Sequence, residues 1–175
     1  MRTRVLATYV IIFCSFATLD VATAQDAKMG CSLEQPSNAT QVLRCRGAVT
    51  IIAEDGAKFT LHDRDNNGEA DSVNLKSKAV LIDVGKPRDK GSFQVTTPQA
   101  IAAVRGTKWA VDIQNTRTSV LVLRGQVAVR KPTGASEVVL GPGEGVDVDA
   151  GMTDPLVVKT WPQARVVALL ARLGQ

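Results

Sequence analysis

Aromatic side chains make up only 4% of this sequence, so its core must be built from Val, Ile, Leu and Ala rather than from packed rings. Histidine occurs once, at His62. A Ser-His-Asp or Cys-His arrangement needs a base held between a nucleophile and an orienting acid, and a lone histidine before a polar loop does not mark one. The chain has no phosphate-cradling glycine loop, no HExxH helix and no CxxC pair. Nothing singles out an acid–base pair of carboxylates, and the chain is read as non-enzymatic. Its net charge is +4 and its sequence pI about 9.1, but the cations form no stripe, so nucleic acid is not an expected partner. No apolar run reaches the ~20 residues of a membrane span.

The N-terminus is informative. Met1-Arg2-Thr3-Arg4 is a basic start, and Val5 to Phe16 is an apolar run of about a dozen residues, the length of a secretory signal core. Ala22-Thr23-Ala24 supplies the small residues read at cleavage. Residues 1–24 are therefore expected to be a signal peptide, removed before Gln25, with export to the periplasm and no transmembrane span afterwards. Cys14 follows Phe13 rather than a small residue, so it does not read as a lipidation site. The two cysteines beyond the signal are Cys31 and Cys45, and in an oxidising compartment an even count favours a disulfide between them. Closing a loop of ~15 residues contributes roughly 3 kcal/mol on the chain-entropy model.

Short alternating strands follow, separated by turns. Gln35-Pro36-Ser37-Asn38 reads as a turn, and Val42–Arg46 and Ala48–Ala53 as strands. Asp55-Gly56 is a hairpin signal leading into a returning strand, Lys58–His62. Further strands are expected at Ser77–Val84, Phe93–Thr97, Ala102–Val104, Trp109–Ile113, Ser119–Leu123, Gln126–Arg130, Glu137–Leu140 and Gly145–Val148, with a solvated loop at Arg88-Asp89-Lys90-Gly91. Trp109 should point inward with Val111 and Ile113, since alternate strand residues share a face. Gly106 should supply a positive φ, with Thr107 bonded to the local backbone. The spacing predicts an all-β fold, a two-sheet sandwich or roll. Only the C-terminus departs from it. Pro162 can open a helix over Gln163–Leu173, with Val166, Leu169, Leu170 and Leu173 on one face. That helix would either close an open end of the sheet or dock on a membrane or partner.

One loop has the pattern of a cation site. Asp63, Asp65 and Asn67 stand at alternate positions with Gly68 next, as in D-x-[DN]-x-[DN]-G calcium loops. Ca²⁺ takes six to eight oxygens, and alternate residues of a tightly coiled loop point inward. The carbonyl of Glu69 and the side chain of Asp71 would fill the next places, while Asn74 stands where the bidentate glutamate belongs. A polar hairpin loop explains Asn67-Gly68 equally well without metal. Ca²⁺ is the only cofactor the sequence suggests.

From Phe93 to Val148 the chain resembles the FecR domain, the periplasmic β-module of regulators that carry ferric-citrate-type signals from outer-membrane transporters. The resemblance rests on the Thr97-Pro98 step, the Ala102–Thr107 corner, the strand from Trp109, Leu123-Arg124-Gly125-Gln126-Val127, and the Gly141-Pro142-Gly143 turn. Arg124 stands where the family often has an acid, and Trp109 where it often has phenylalanine. Regulators of this kind join a cytoplasmic anti-sigma domain and a membrane span to the β-module. With a cleavable signal in their place, the expectation is an exported, stand-alone member. Its organisation would be signal (1–24), arm with disulfide (25–47), FecR-like β domain (48–150) and C-terminal extension with helix (151–175). The resemblance implies a signalling-associated, protein-binding module with an envelope protein as partner. The alternative is a structural domain that binds Ca²⁺ or an envelope polymer.

Overall fold

A computed structural model of the protein describes residues 29–34, 40–85, 91–133 and 136–175. The signal segment with its cleavage point, the Gln35–Asn38 turn and most of the Arg88–Gly91 loop lie outside the described residues. Among the described residues thirteen strands and one helix follow in order. The strands are β1 (Cys31–Glu34), β2 (Thr40–Cys45), β3 (Val49–Glu54), β4 (Lys58–His62), β5 (Ser72–Val84), β6 (Phe93–Thr96) and β7 (Ile101–Val104). After them come β8 (Lys108–Gln114), β9 (Arg117–Arg124), β10 (Val127–Arg130), β11 (Glu137–Leu140), β12 (Glu144–Asp149) and β13 (Lys159–Thr160), then helix α1 (Gln163–Arg172). The all-β class with a single C-terminal helix agrees with the sequence.

The strands form one hydrogen-bonded path curled into two layers that share β5. The C-terminal half of β5 pairs with β3 and β8 in sheet I, which runs β1-β2-β3-β5-β8-β9-β12-β13. Its N-terminal half pairs with β4 and, in parallel, with β6 in sheet II, which continues through β7 and β10 to β11. The bend falls at Lys78, a non-glycine residue at φ 63°. Just before it the β4–β5 register skips Lys76, pairing Lys58 with Ser77 and Phe59 with Leu75, and the alternation flips. Val73 and Leu75 are buried before it, and Val80, Ile82 and Val84 after it; a bulge shifts side-chain parity by one and bends the strand.

The Asp55-Gly56 turn forms, with Ala57 donating to the Glu54 carbonyl at 2.9 Å and Gly56 at φ 67°. It does not close a hairpin: β3 and β4 pair with successive halves of β5, not with each other. The turn carries the chain around the same corner that Lys78 makes, and the Lys78 ammonium donates to the Asp55 carbonyl. Between the layers lies the main core, drawn from the inward residues of both sheets. Trp109, Val111 and Ile113 all point into it, as alternation predicts. The Trp109 ring meets Phe93 edge-on at 6.1 Å. Cys31 and Cys45 are directly opposed in the β1–β2 register and disulfide-bonded.

Helix α1 does not close a sheet end. It lies on the outer face of sheet I, where Ala79, Leu81, Ala110 and Leu121 form a second apolar cluster with Trp161, Leu169 and Leu173. The C-terminal half of β5 and strands β8 and β9 are thus buried on both faces and read as near-continuous apolar runs. No helix among the described residues is long and apolar enough to cross a membrane.

Candidate functional site

The two outer faces of the sandwich differ, and the candidate site follows from that difference. On sheet I, strand register aligns Asp112 with Ser119 and Ser119 with Asp147, while the Glu54 carboxylate accepts from the Ala79 amide at 3.0 Å. The result is an acidic row across the strands. Arg172 donates to Glu54 at 2.6 Å and to Asp112 at 2.8 Å. Arg165 donates to both Asp147 oxygens at 2.5 and 2.9 Å and stacks on the Trp161 ring at 3.4 Å. Seven helical residues rise about 10.5 Å, and two strand spacings cover about 9.6 Å, so the arginine pair matches the acids of β8 and β12. Desolvation alone would raise the Asp147 pKa, but the bonds from Arg165 and Ser119 outweigh it and hold the carboxyl below the ordinary carboxylate value. The hydrogen bonds that Arg172 donates to Asp112 and Glu54 raise its pKa further. These groups are mutually satisfied, and their work is to seat the helix.

Sheet II has no such cover among the described residues. Register across its six strands defines two outward rows. One is His62, Ser72, Gln94, Ala103, Ala128 and Val139; the other is Thr60, Asn74, Thr96, Ile101, Arg130 and Glu137. Hydroxyl and amide groups fill the β4–β6 half, with the Gln94 amide donating to Thr96 Oγ1 at 2.9 Å. Small apolar groups fill much of the other half. A shallow cavity of about 460 Å³ lies on the polar half, lined by His62, Asp63, Arg64, Asn74, Gln94 and Thr96 among others. His62 is exposed and sits 3.2 Å from Thr60 Oγ1.

The Asp63–Asp71 loop borders this face. Asp63 accepts from the amides of Asn67 (3.1 Å) and Gly68 (2.8 Å). Asp65 accepts from the Asn67 amide and side chain, and Asn67 from the Glu69 amide. Although desolvation opposes it, bonds from Gly68 and Asn67 lower the Asp63 pKa. These three side chains therefore do turn in on the loop. Asp71 does not join them: it is buried and bonded to the backbone and guanidinium of Arg64 at 3.1 and 3.0 Å. The Glu69 carboxylate approaches Gly47. Among the described residues no three His, Cys, Asp or Glu side chains converge as a metal-holding group.

The residues that carried the family resemblance have structural partners. Thr97 Oγ1 accepts from the Ala100 amide at 2.8 Å and from buried Thr118 at 2.9 Å, holding the turn after the Thr97-Pro98 step. Gly106 and Gly125 have φ of 67° and 83°. Thr107 Oγ1 donates not to the local backbone but to the Gln126 carbonyl at 3.0 Å, tying the β7–β8 corner to the β9–β10 corner. The bare face of sheet II was not legible in advance, because which residues share a row depends on strand order and register.

The family model for FecR protein matches residues 37–128. Among solved structures the fold is similar to a candidate anti-sigma factor from Parabacteroides distasonis, at a TM-score of 0.60 and 18% identity. That alignment covers 79% of this chain and 64% of the other. A second crystal structure with the same description aligns over 80% and 64% at the same score and identity. This chain therefore spans somewhat under two thirds of those proteins' length, and at such identity the likeness is one of fold. No curated protein matches.

Proposed function

The chain belongs to the FecR protein family, and on that premise we propose that it is a non-enzymatic, exported FecR-domain protein. In this reading it serves in the periplasm as a protein-binding module associated with envelope signalling. The observation that carries the reading is the uncovered outer face of sheet II. On sheet I, α1 covers the outer face of β5, β8 and β9, whereas sheet II presents rows of hydroxyl, amide and small apolar groups, with Arg130 and Glu137 at one end, His62 at the other and Arg64 reaching in to Gln94 at 3.3 Å. Such a surface suits a partner that hydrogen-bonds at one end and packs closely at the other. Interfaces are depleted of charge at their centre, and the Ala103, Ala128 and Val139 stretch of this face carries none.

The reading is tested by expressing the chain with its native N-terminus, fractionating the cells, and cross-linking in the intact envelope with mass spectrometry. It expects an N-terminus at Gln25, recovery in the periplasm and a discrete cross-linked envelope protein. Recovery from the cytoplasm would contradict it.

A second reading, a Ca²⁺- or envelope-polymer-binding structural domain, is favoured by the inward turn of Asp63, Asp65 and Asn67. To complete the site, Asp71 would have to leave Arg64. A thermal melt with Ca²⁺ or chelator separates the two. A site at 100 times its Kd adds ~2.7 kcal/mol, so an unchanged midpoint at millimolar Ca²⁺ removes the Ca²⁺ form of the second reading.

A further inference from the structure

We propose that β11 is a self-recognition edge, through which two copies of this chain pair β11 to β11, antiparallel and centred on Val139. A strand with a free edge offers unpaired backbone donors and acceptors, and proteins normally blunt such edges with lysine, proline, a bulge or a short strand. Among the described residues the fold leaves four edges. Edge strand β1 carries a disulfide cysteine, β4 carries Lys58 and His62, and β13 is two residues with Lys159. Of the four, β1 (Cys-Ser-Leu-Glu) and β11 (Glu137-Val138-Val139-Leu140) have neither cation nor proline; β1 is tied to β2 by the disulfide and the Glu34–Arg44 ion pair, whereas β11, in unbroken register with β10, presents the more exposed apolar side chain. Val139 stands 55% exposed beside Ala128 and Ala103 in its row, whose small side chains do little to cover it.

The sequence of the strand favours a copy of itself. Residues opposed in an antiparallel pair point to the same face, so the pairing can centre on Val138 or on Val139. Centring on Val138 sets each Glu137 carboxylate against Val139. Centring on Val139 sets valine against valine on the outer face and Val138 against Leu140 on the inner face, twice. Glu137 then lies opposite Gly141, and the two Glu137 carboxylates stand about four residues of strand apart, some ~13 Å. All the apolar side chains of the strand are matched, and no like charges meet. A four-residue contact is small, so the dimer is reversible and concentration-dependent. Pairing at this edge engages only the β11 end of the outward rows of sheet II, and it does not depend on the protein-binding reading above.

Sedimentation velocity on the full chain, over about two decades of concentration, tests the proposal. The wild type is expected to pass from monomer to dimer. Val139→Lys places a charge at the edge and should raise the half-dimer concentration by about tenfold or more. Val167→Lys, at the 53%-exposed position on α1, should leave it unchanged. Both sites are on the surface, so melting midpoints of dilute protein should stay near wild type and exclude misfolding. A wild type that stays monomeric throughout, a V139K variant that dimerises like wild type, or a dimer lost in V167K would each overturn the proposal.

Discussion

At Gly125 a single methyl group is enough to disturb the fold. A Cβ there would stand 2.8 Å from Thr107 Oγ1 and 3.0 Å from the Gly106 carbonyl, at a φ of 83°. Gly125→Ala should therefore cost about 2 kcal/mol, from strained φ and a displaced Thr107 together, read as a lower midpoint in urea. A midpoint within error of wild type would show that the corner is looser than this geometry. Trp109 makes the opposite case. It is fully buried, and its indole N–H has no acceptor among the described residues. Trp109→Phe removes both volume and an unsatisfied donor, the second worth about 1–3 kcal/mol. The two effects offset, so the change should cost under about 1 kcal/mol, against about 3–5 for Trp109→Ala. Equal losses in the two variants would contradict this. Glycine positions were legible from turn chemistry, as Gly56, Gly106 and Gly143 show. The acceptor of Thr107 was not, because it lies 19 residues away across a corner.

The elements differ in how far their sequences reveal them. Strands such as Lys58–His62 and Glu137–Leu140 have the expected bounds, because alternation and flanking turns agree. The long β5 was legible only from Ser77 onward. Its parity flips between Leu75 and Val80, and Asn74, Lys76 and Ser77 dilute the apolar pattern there. The edge strands β1 and β13 have too few buried residues to give a signal. Helix α1 was legible as amphipathic, but its seat was not, since the acidic row exists only once β8, β9 and β12 are in register. That seat has a pH signature. The Asp147 carboxyl is lower in the folded than in the unfolded chain, so its stabilisation is complete above the unfolded value of about 3.9 and disappears as pH falls through the folded value. Asp147→Asn should lose about 1–2 kcal/mol at neutral pH, discounted for partial exposure, and should flatten stability against pH below ~4. Denaturant midpoints across pH 2–7 check both, and an unchanged acid limb would rule out Asp147 as a contributor.

For the whole molecule, the two-layer fold was expected and the partition of strands between layers was not. Asp55-Gly56 read as a hairpin because local turn chemistry cannot say whether the strands it joins will pair. Here both pair with β5 instead, and one sheet passes into the other. The consequence is asymmetric. Helix α1 covers the outer face of the central strands of sheet I, and no described element covers that of sheet II. The residues behind the family match are mainly engaged in corners and core, so they specify this fold and leave partner choice to the rows of sheet II. The most direct test places a photo-crosslinking amino acid at Thr96 on the bare face and, separately, at exposed Ala168 on α1, in the intact envelope. A discrete adduct is expected from position 96, at a mass other than that of two copies of this chain, and none from 168. Adducts from 168 alone, or none from either position, would contradict this.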